Sequence, residues 1–179
     1  MDPIPPKVIF RPVWHMPYCL LTTAVVVGTV VLHWFAHWLT SELLGEHFSP
    51  NLNPAHFVRH VYVQAWHEIP ITLAGPIFTV VQAIYFYNQL KRSRDMLLYP
   101  CLLAPVVMRI LAGVMNVVNP NDEGRISSLL GWGLYTLPVI TGLFLFYLVV
   151  RISIVCQINF KLNVQNIVLV IFISYFIFK

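Results

Sequence analysis

Residues 18–44 read YCLLTTAVVVGTVVLHWFAHWLTSELL, with no lysine, arginine or aspartate and with Glu42 as the single acid. A helix rises roughly 1.5 Å per residue, so about 20 apolar residues cross a hydrocarbon core of about 30 Å. This stretch is long enough to span a membrane, and the chain repeats the pattern. Residues 66–90, 96–118 and 129–150 form three further apolar runs of spanning length, and the shorter run 163–178 is a candidate fifth. The expected fold is all-α: a polytopic transmembrane helix bundle of four to five spans, forming a single membrane domain over residues 1–179.

Composition agrees. Of the 179 residues, 58% are hydrophobic and 10% charged, whereas about a quarter of a soluble domain is charged. A disordered tail, a secreted disulfide scaffold and a nucleic-acid-binding domain are thereby excluded. The net charge of +4 reflects scarce acids, 11 Lys and Arg standing against 7 Asp and Glu. There is no basic run to grip DNA or RNA, so the expected partner is the lipid bilayer and not a nucleic acid. Cys19, Cys101 and Cys156 lie far apart in apolar stretches and read as small core or lipid-facing residues. Residues 1–17 hold Pro3, Pro5, Pro6, Pro12 and Pro17 and read as an extended lead-in, not a cleavable signal. Lys7, Arg11, Lys91, Arg92, Arg94, Arg151 and Lys161 fall on one side of the spans, against Arg59, Arg125 and Lys179 on the other. That asymmetry predicts a cytoplasmic N-terminus and a cytoplasmic 91–95 loop.

Ionisable groups inside spans are expensive and mark function by default. His33 and His37, in His33-Trp34-Phe35-Ala36-His37, share one helix face a turn apart. One helix can offer two imidazoles to one metal in this way; the plainer reading is hydrogen bonding that packs the bundle. Leu73-Ala74-Gly75-Pro76 by itself reads as a close-packing motif. Residues 116–125, NVVNPNDEGR, demand a turn after the third span. Spans one and three run in the same direction, so His33, His37 and Asp122 approach the same membrane face. Together they offer three protein ligands and leave a fourth position for water. Arg109, deep in the third span, is expected to pair with an acid or with backbone carbonyls, the other reading being an anionic substrate group. Asn116 and Asn119 read as a helix cap or turn.

These three motifs, in this order, resemble those of the site-2-protease family of intramembrane zinc metallopeptidases, above all its compact bacterial members. His33-Trp34-Phe35-Ala36-His37 followed by Leu43-Leu44-Gly45 resembles the family's HExxH span. Leu73-Ala74-Gly75-Pro76 resembles its central motif, and Asn119-Pro120-Asn121-Asp122-Glu123-Gly124 its late Asn-Pro…Asp-Gly motif. The resemblance covers about residues 25–150. It implies a bacterial inner-membrane protein with one zinc on His33, His37 and Asp122 and a transmembrane protein as substrate or partner. By the same resemblance Asn116 and Asn119 hold a substrate backbone, a role that stands equal to the turn reading. It also implies a zinc near the cytoplasmic face, opposite to the side given by the charge count.

One departure is chemical: Trp34 stands where the family carries its catalytic glutamate. An indole donates a hydrogen bond but accepts no proton, and general acid–base catalysis contributes about 10²–10⁴-fold. A degenerate peptidase or a membrane-partner binder is therefore expected. The alternatives are an active zinc-dependent endopeptidase using another carboxylate and a structural or transporter-like bundle without metal. Glu123 and Glu68 are the candidate substitutes; Glu42 points about 140° around the helix from His37 and is poorer. His67-Glu68 is not a second HExxH, because Ile71 occupies the last position and Pro70 is expected to interrupt the helix. His56 and His60, with His47 nearby, form another pair in the first long connection, read as a peripheral loop feature. Seven histidines without doubled boxes do not make a di-iron desaturase.

Overall fold

The computed structural model describes residues 15–46 and 62–178, with side chains through residue 176. His47, His56 and His60 lie outside the described residues, as does the proline-rich lead-in up to residue 14. The described chain is helical: α1 (Met16–Leu43), α2 (Glu68–Ser93), α3 (Tyr99–Met115), α4 (Asp122–Leu129), α5 (Thr136–Val155) and α6 (Phe160–Phe178). Four stretches, Met16–Leu43, Ala65–Ser93, Met96–Met115 and Thr136–Val155, are long and apolar enough to cross a membrane. The all-α bundle expected from hydropathy is the observed architecture.

Two boundaries differ from expectation. The fourth apolar run does not form one helix from residue 129; α4 ends at Leu129 and α5 begins at Thr136. Gly131 and Gly133 take positive φ angles of 73° and 81°, a conformation that glycine adopts without a Cβ penalty. Trp132 N–H donates to the Ser127 carbonyl and Gly131 N–H to that of Ser128, a glycine-terminated helix end. The Ser127 hydroxyl then accepts from Leu137 N–H at 3.2 Å, tying the start of α5 to the end of α4. The other difference is Pro70, which sits in the first turn of α2, where no intrahelical donor is required. Pro70 therefore interrupts nothing.

The core lies where α3 is enclosed by its neighbours: Tyr99, Leu102, Leu103, Ala104 and Val106 of α3 pack with Val26, Ala83, Leu145 and Ile152, all buried. Polar side chains cross-link the apolar helices. Gln82 donates to the Thr29 hydroxyl at 2.9 Å and to the Cys101 carbonyl at 3.1 Å, joining α1, α2 and α3. Tyr18 donates to Asn166 at 2.5 Å, and Tyr99 to Asn163, fastening α6 to α1 and α3. In lipid such bonds contribute about 0.6 kcal/mol each, modest singly but directional. None of Cys19, Cys101 and Cys156 forms a disulfide.

Candidate metal centre

His33 and His37 are both buried on the inward face of α1. Their four-residue spacing, read from sequence as one face, brings Nε2 of each within 3.2 Å of the other. Nδ1 of His37 lies 2.7 Å from the carbonyl oxygen of Ile71 on α2. A carbonyl only accepts, so Nδ1 carries the proton and a neutral His37 turns the lone pair of Nε2 to the centre.

The third group arrives from α4. Asn121 caps that helix, its side chain accepting from Gly124 N–H at 2.9 Å, and Asp122 is the first helical residue. An Asn cap followed by Asp122 and Glu123 in the first turn has the chemistry of a helix start. Asn116, the C-cap of α3, accepts from Asn121 N–H at 2.6 Å and closes the turn. Asn116 therefore has a turn-forming bond, while Asn119 is exposed. The result places Asp122 Oδ2 3.4 Å from Nε2 of His33 and 3.5 Å from Nε2 of His37. One ligand atom from each of these residues lies within 4.8 Å of the others. Burial works against ionisation of Asp122, but the two facing imidazoles outweigh it and hold its carboxyl well below the usual carboxylate range.

Gly75 forms the wall behind the imidazoles. A Cβ there would stand 2.3 Å from His33 Cε1 and 2.3 Å from His37 Nε2. The packing reading of Leu73-Ala74-Gly75-Pro76 thus becomes specific: α2 passes so close to the histidines that only glycine fits.

Two imidazole nitrogens and a carboxylate oxygen are a donor set that suits zinc. The hydrogen bond at His37 Nδ1 is the outer-sphere contact that orients a metal-ligating histidine. The residues therefore fit the ion that the family resemblance implies, with His33, His37 and Asp122 as its holders.

The surrounding charges are as informative. Arg109 of α3 is buried and places Nη1 3.8 Å from Asp122 Oδ2 and 3.8 Å from Glu123 Oε1. The expectation that Arg109 pairs with an acid is met by two. Glu123 is buried, and that burial, reinforced by Asp122 and opposed by Arg109, pushes its carboxyl up to about 7. Glu68 lies instead 2.5 Å from Arg125 Nη2, fastening α2 to α4. Glu42 is half-buried near the end of α1. Trp34, also half-buried, has its ring centroid 6.3 Å from each imidazole.

Sequence reasoning missed a second buried pair. Glu46, just past α1, accepts from Val63 N–H at 3.0 and 3.2 Å and lies 2.5 Å from Nδ1 of His67. It clasps the end of α1 to the beginning of α2, and no local pattern announces a pair 21 residues apart. No protein-family model, curated protein or solved structure matches the chain.

Proposed function

We propose that the protein is a site-2-protease-like membrane protein that holds one zinc ion on His33, His37 and Asp122. With Trp34 at the position of the family's base, it works as a degenerate peptidase or as the binder of a membrane partner. The carrying observation is the convergence of three ligand atoms within 4.8 Å from two helices far apart in sequence. The order of the three sequence motifs supports the kinship. When bound, zinc supplies Lewis-acid polarisation of a carbonyl oxygen.

The chain's own residues define the chemistry within reach. His37 is oriented by Ile71, and Gly75 shapes the wall. Trp34 offers no atom that takes a proton, so the hydrolytic proton transfers lose their usual agent. A second reading, an active zinc-dependent endopeptidase, is favoured by Glu123: it adjoins Asp122 and is buried against Arg109. Glu68 supports that reading less, because Arg125 engages it.

Metal analysis of detergent-purified protein tests the first claim, with about one zinc per chain expected and its loss in His33→Ala. A protein that carries no zinc in either form overturns it. Cleavage of a transmembrane reporter then separates the two readings. The wild type is expected to be inert and Trp34→Glu to gain metal-dependent cleavage. Wild-type cleavage abolished by Glu123→Gln would install the second reading instead.

A further inference from the structure

The guanidinium of Arg109 lies in the stretch Met96–Met115, one of the four apolar enough to cross a membrane. It is buried, yet Nε and Nη1 have no hydrogen-bond partner among the described residues. A charged donor in that state is costly. The carboxylates nearest to it, on Asp122 and Glu123, stand at 3.8 Å, close enough to compensate charge and too far to accept a hydrogen bond. Asp122 Oδ2, the atom that Nη1 faces, is also the atom that faces both imidazoles. Arg109 therefore looks onto the centre itself.

Charge leads to the same place. Arg109 and Asp122 cancel, and the imidazoles are neutral as metal ligands. A divalent ion then leaves an excess of positive charge, whether Glu123 is ionised or not. Uncompensated charge in an apolar surround is unfavourable, and one more anion relieves it. A carboxylate has two oxygens, one for the ion and one to accept from the Nη1–H that faces Asp122, a charge-assisted hydrogen bond for which a guanidinium is suited.

We propose that Arg109 and the His33/His37/Asp122 centre together form a carboxylate-binding subsite. Its ligand is a carboxylate group, carried by a small organic acid or by the C-terminus of a peptide. The inference rests on the metal reading above, and its test keeps the two apart.

The experiment uses full-length protein in detergent micelles, loaded with cobalt(II) for its visible absorption. Acetate and two acetylated Ala-Leu dipeptides, one with a free and one with an amidated C-terminus, are titrated in turn. Acetate and the free dipeptide are expected to shift the cobalt bands saturably, and the amidated one to leave them unchanged. A small acid as the natural source predicts tighter acetate binding; a peptide terminus predicts tighter dipeptide binding. Arg109→Gln is expected to weaken acetate at least about tenfold, with partial recovery in Arg109→Lys. The Arg109→Gln/Glu123→Gln pair, which removes the guanidinium together with a carboxyl that faces it, guards against misfolding and is expected to bind cobalt while losing acetate. Cobalt bands that ignore acetate, or respond alike in wild type and Arg109→Gln, overturn the subsite and leave the metal reading standing. Failure of every form to bind cobalt overturns both.

Discussion

Nδ1 of His37 donates to the main-chain oxygen of Ile71 across 2.7 Å, so a backbone atom of α2 selects the tautomer of a histidine on α1. The consequence is an unprotonated Nε2 directed at Asp122 in neutral His37. His33 differs: its Nδ1 is buried without a hydrogen-bond partner among the described residues. The two histidines share a helix face but not an environment. Nitrogen-15 NMR of chelator-treated protein near neutral pH is expected to report a protonated Nδ1 for His37. His37→Ala is expected to weaken zinc by more than the 10–100-fold typical of losing an outer-sphere contact, measured by competition with a chromogenic chelator.

Gly75→Ala tests the wall. A methyl group 2.3 Å from both imidazoles must displace them or push α2 away. Overpacking of this kind costs about 1–3 kcal/mol, so the thermal midpoint and the zinc content are both expected to fall. Gly28 on α1 has nothing within 4 Å of its added Cβ. Gly28→Ala is expected to leave both unchanged or to raise the midpoint slightly.

The Glu68–Arg125 ion pair ties α4 to α2, one turn beyond Asp122 on the same short helix. Arg125→Ala is expected to weaken zinc binding by loosening α4, with a stability loss of about 1–2 kcal/mol. The Glu68→Arg/Arg125→Glu exchange is expected to recover part of both. Equal zinc affinity in wild type and Arg125→Ala would show that the ion pair does not position Asp122.

Metal-free protein is expected to respond to pH in two opposite senses. Asp122 is held low by the imidazoles, so its contribution is complete above the ordinary carboxylate range and is lost as pH falls through its depressed value. Glu123 is raised to about 7 by burial. The unfolded chain releases that proton first, so stability declines as pH rises from about 4.5 to about 7 and levels off above. Glu123→Gln is expected to flatten the thermal midpoint across that window without touching the acid limb.

Much of this architecture is written locally. Four apolar runs announce the helices because a single continuous run of that length satisfies its own backbone in lipid as a helix. The split between α4 and α5 was legible too, in Gly131 and Gly133, but a hydropathy window averages over such residues. The i, i+4 spacing of His33 and His37 fixed their common face before any fold was known. Asn121 with Asp122 and Glu123 has the chemistry of a helix start, although the run 116–125 reads from sequence only as a turn.

Other relationships depend on segments distant in sequence. That Gly75 abuts the imidazoles, that Ile71 orients His37 and that Arg109 faces both Asp122 and Glu123 follow from how α2, α3 and α4 pack against α1. Hydropathy and periodicity say which residues turn inward along each helix; they carry no information about which inward face meets which. The membrane class, the helices and the pairing of two histidines were therefore readable from the chain alone, since they rest on local periodicity and solvation. That the Arg109 guanidinium faces the Asp122 carboxylate at the centre emerged only from the packed bundle, because interhelical distance and rotation are set by contacts between segments remote along the chain.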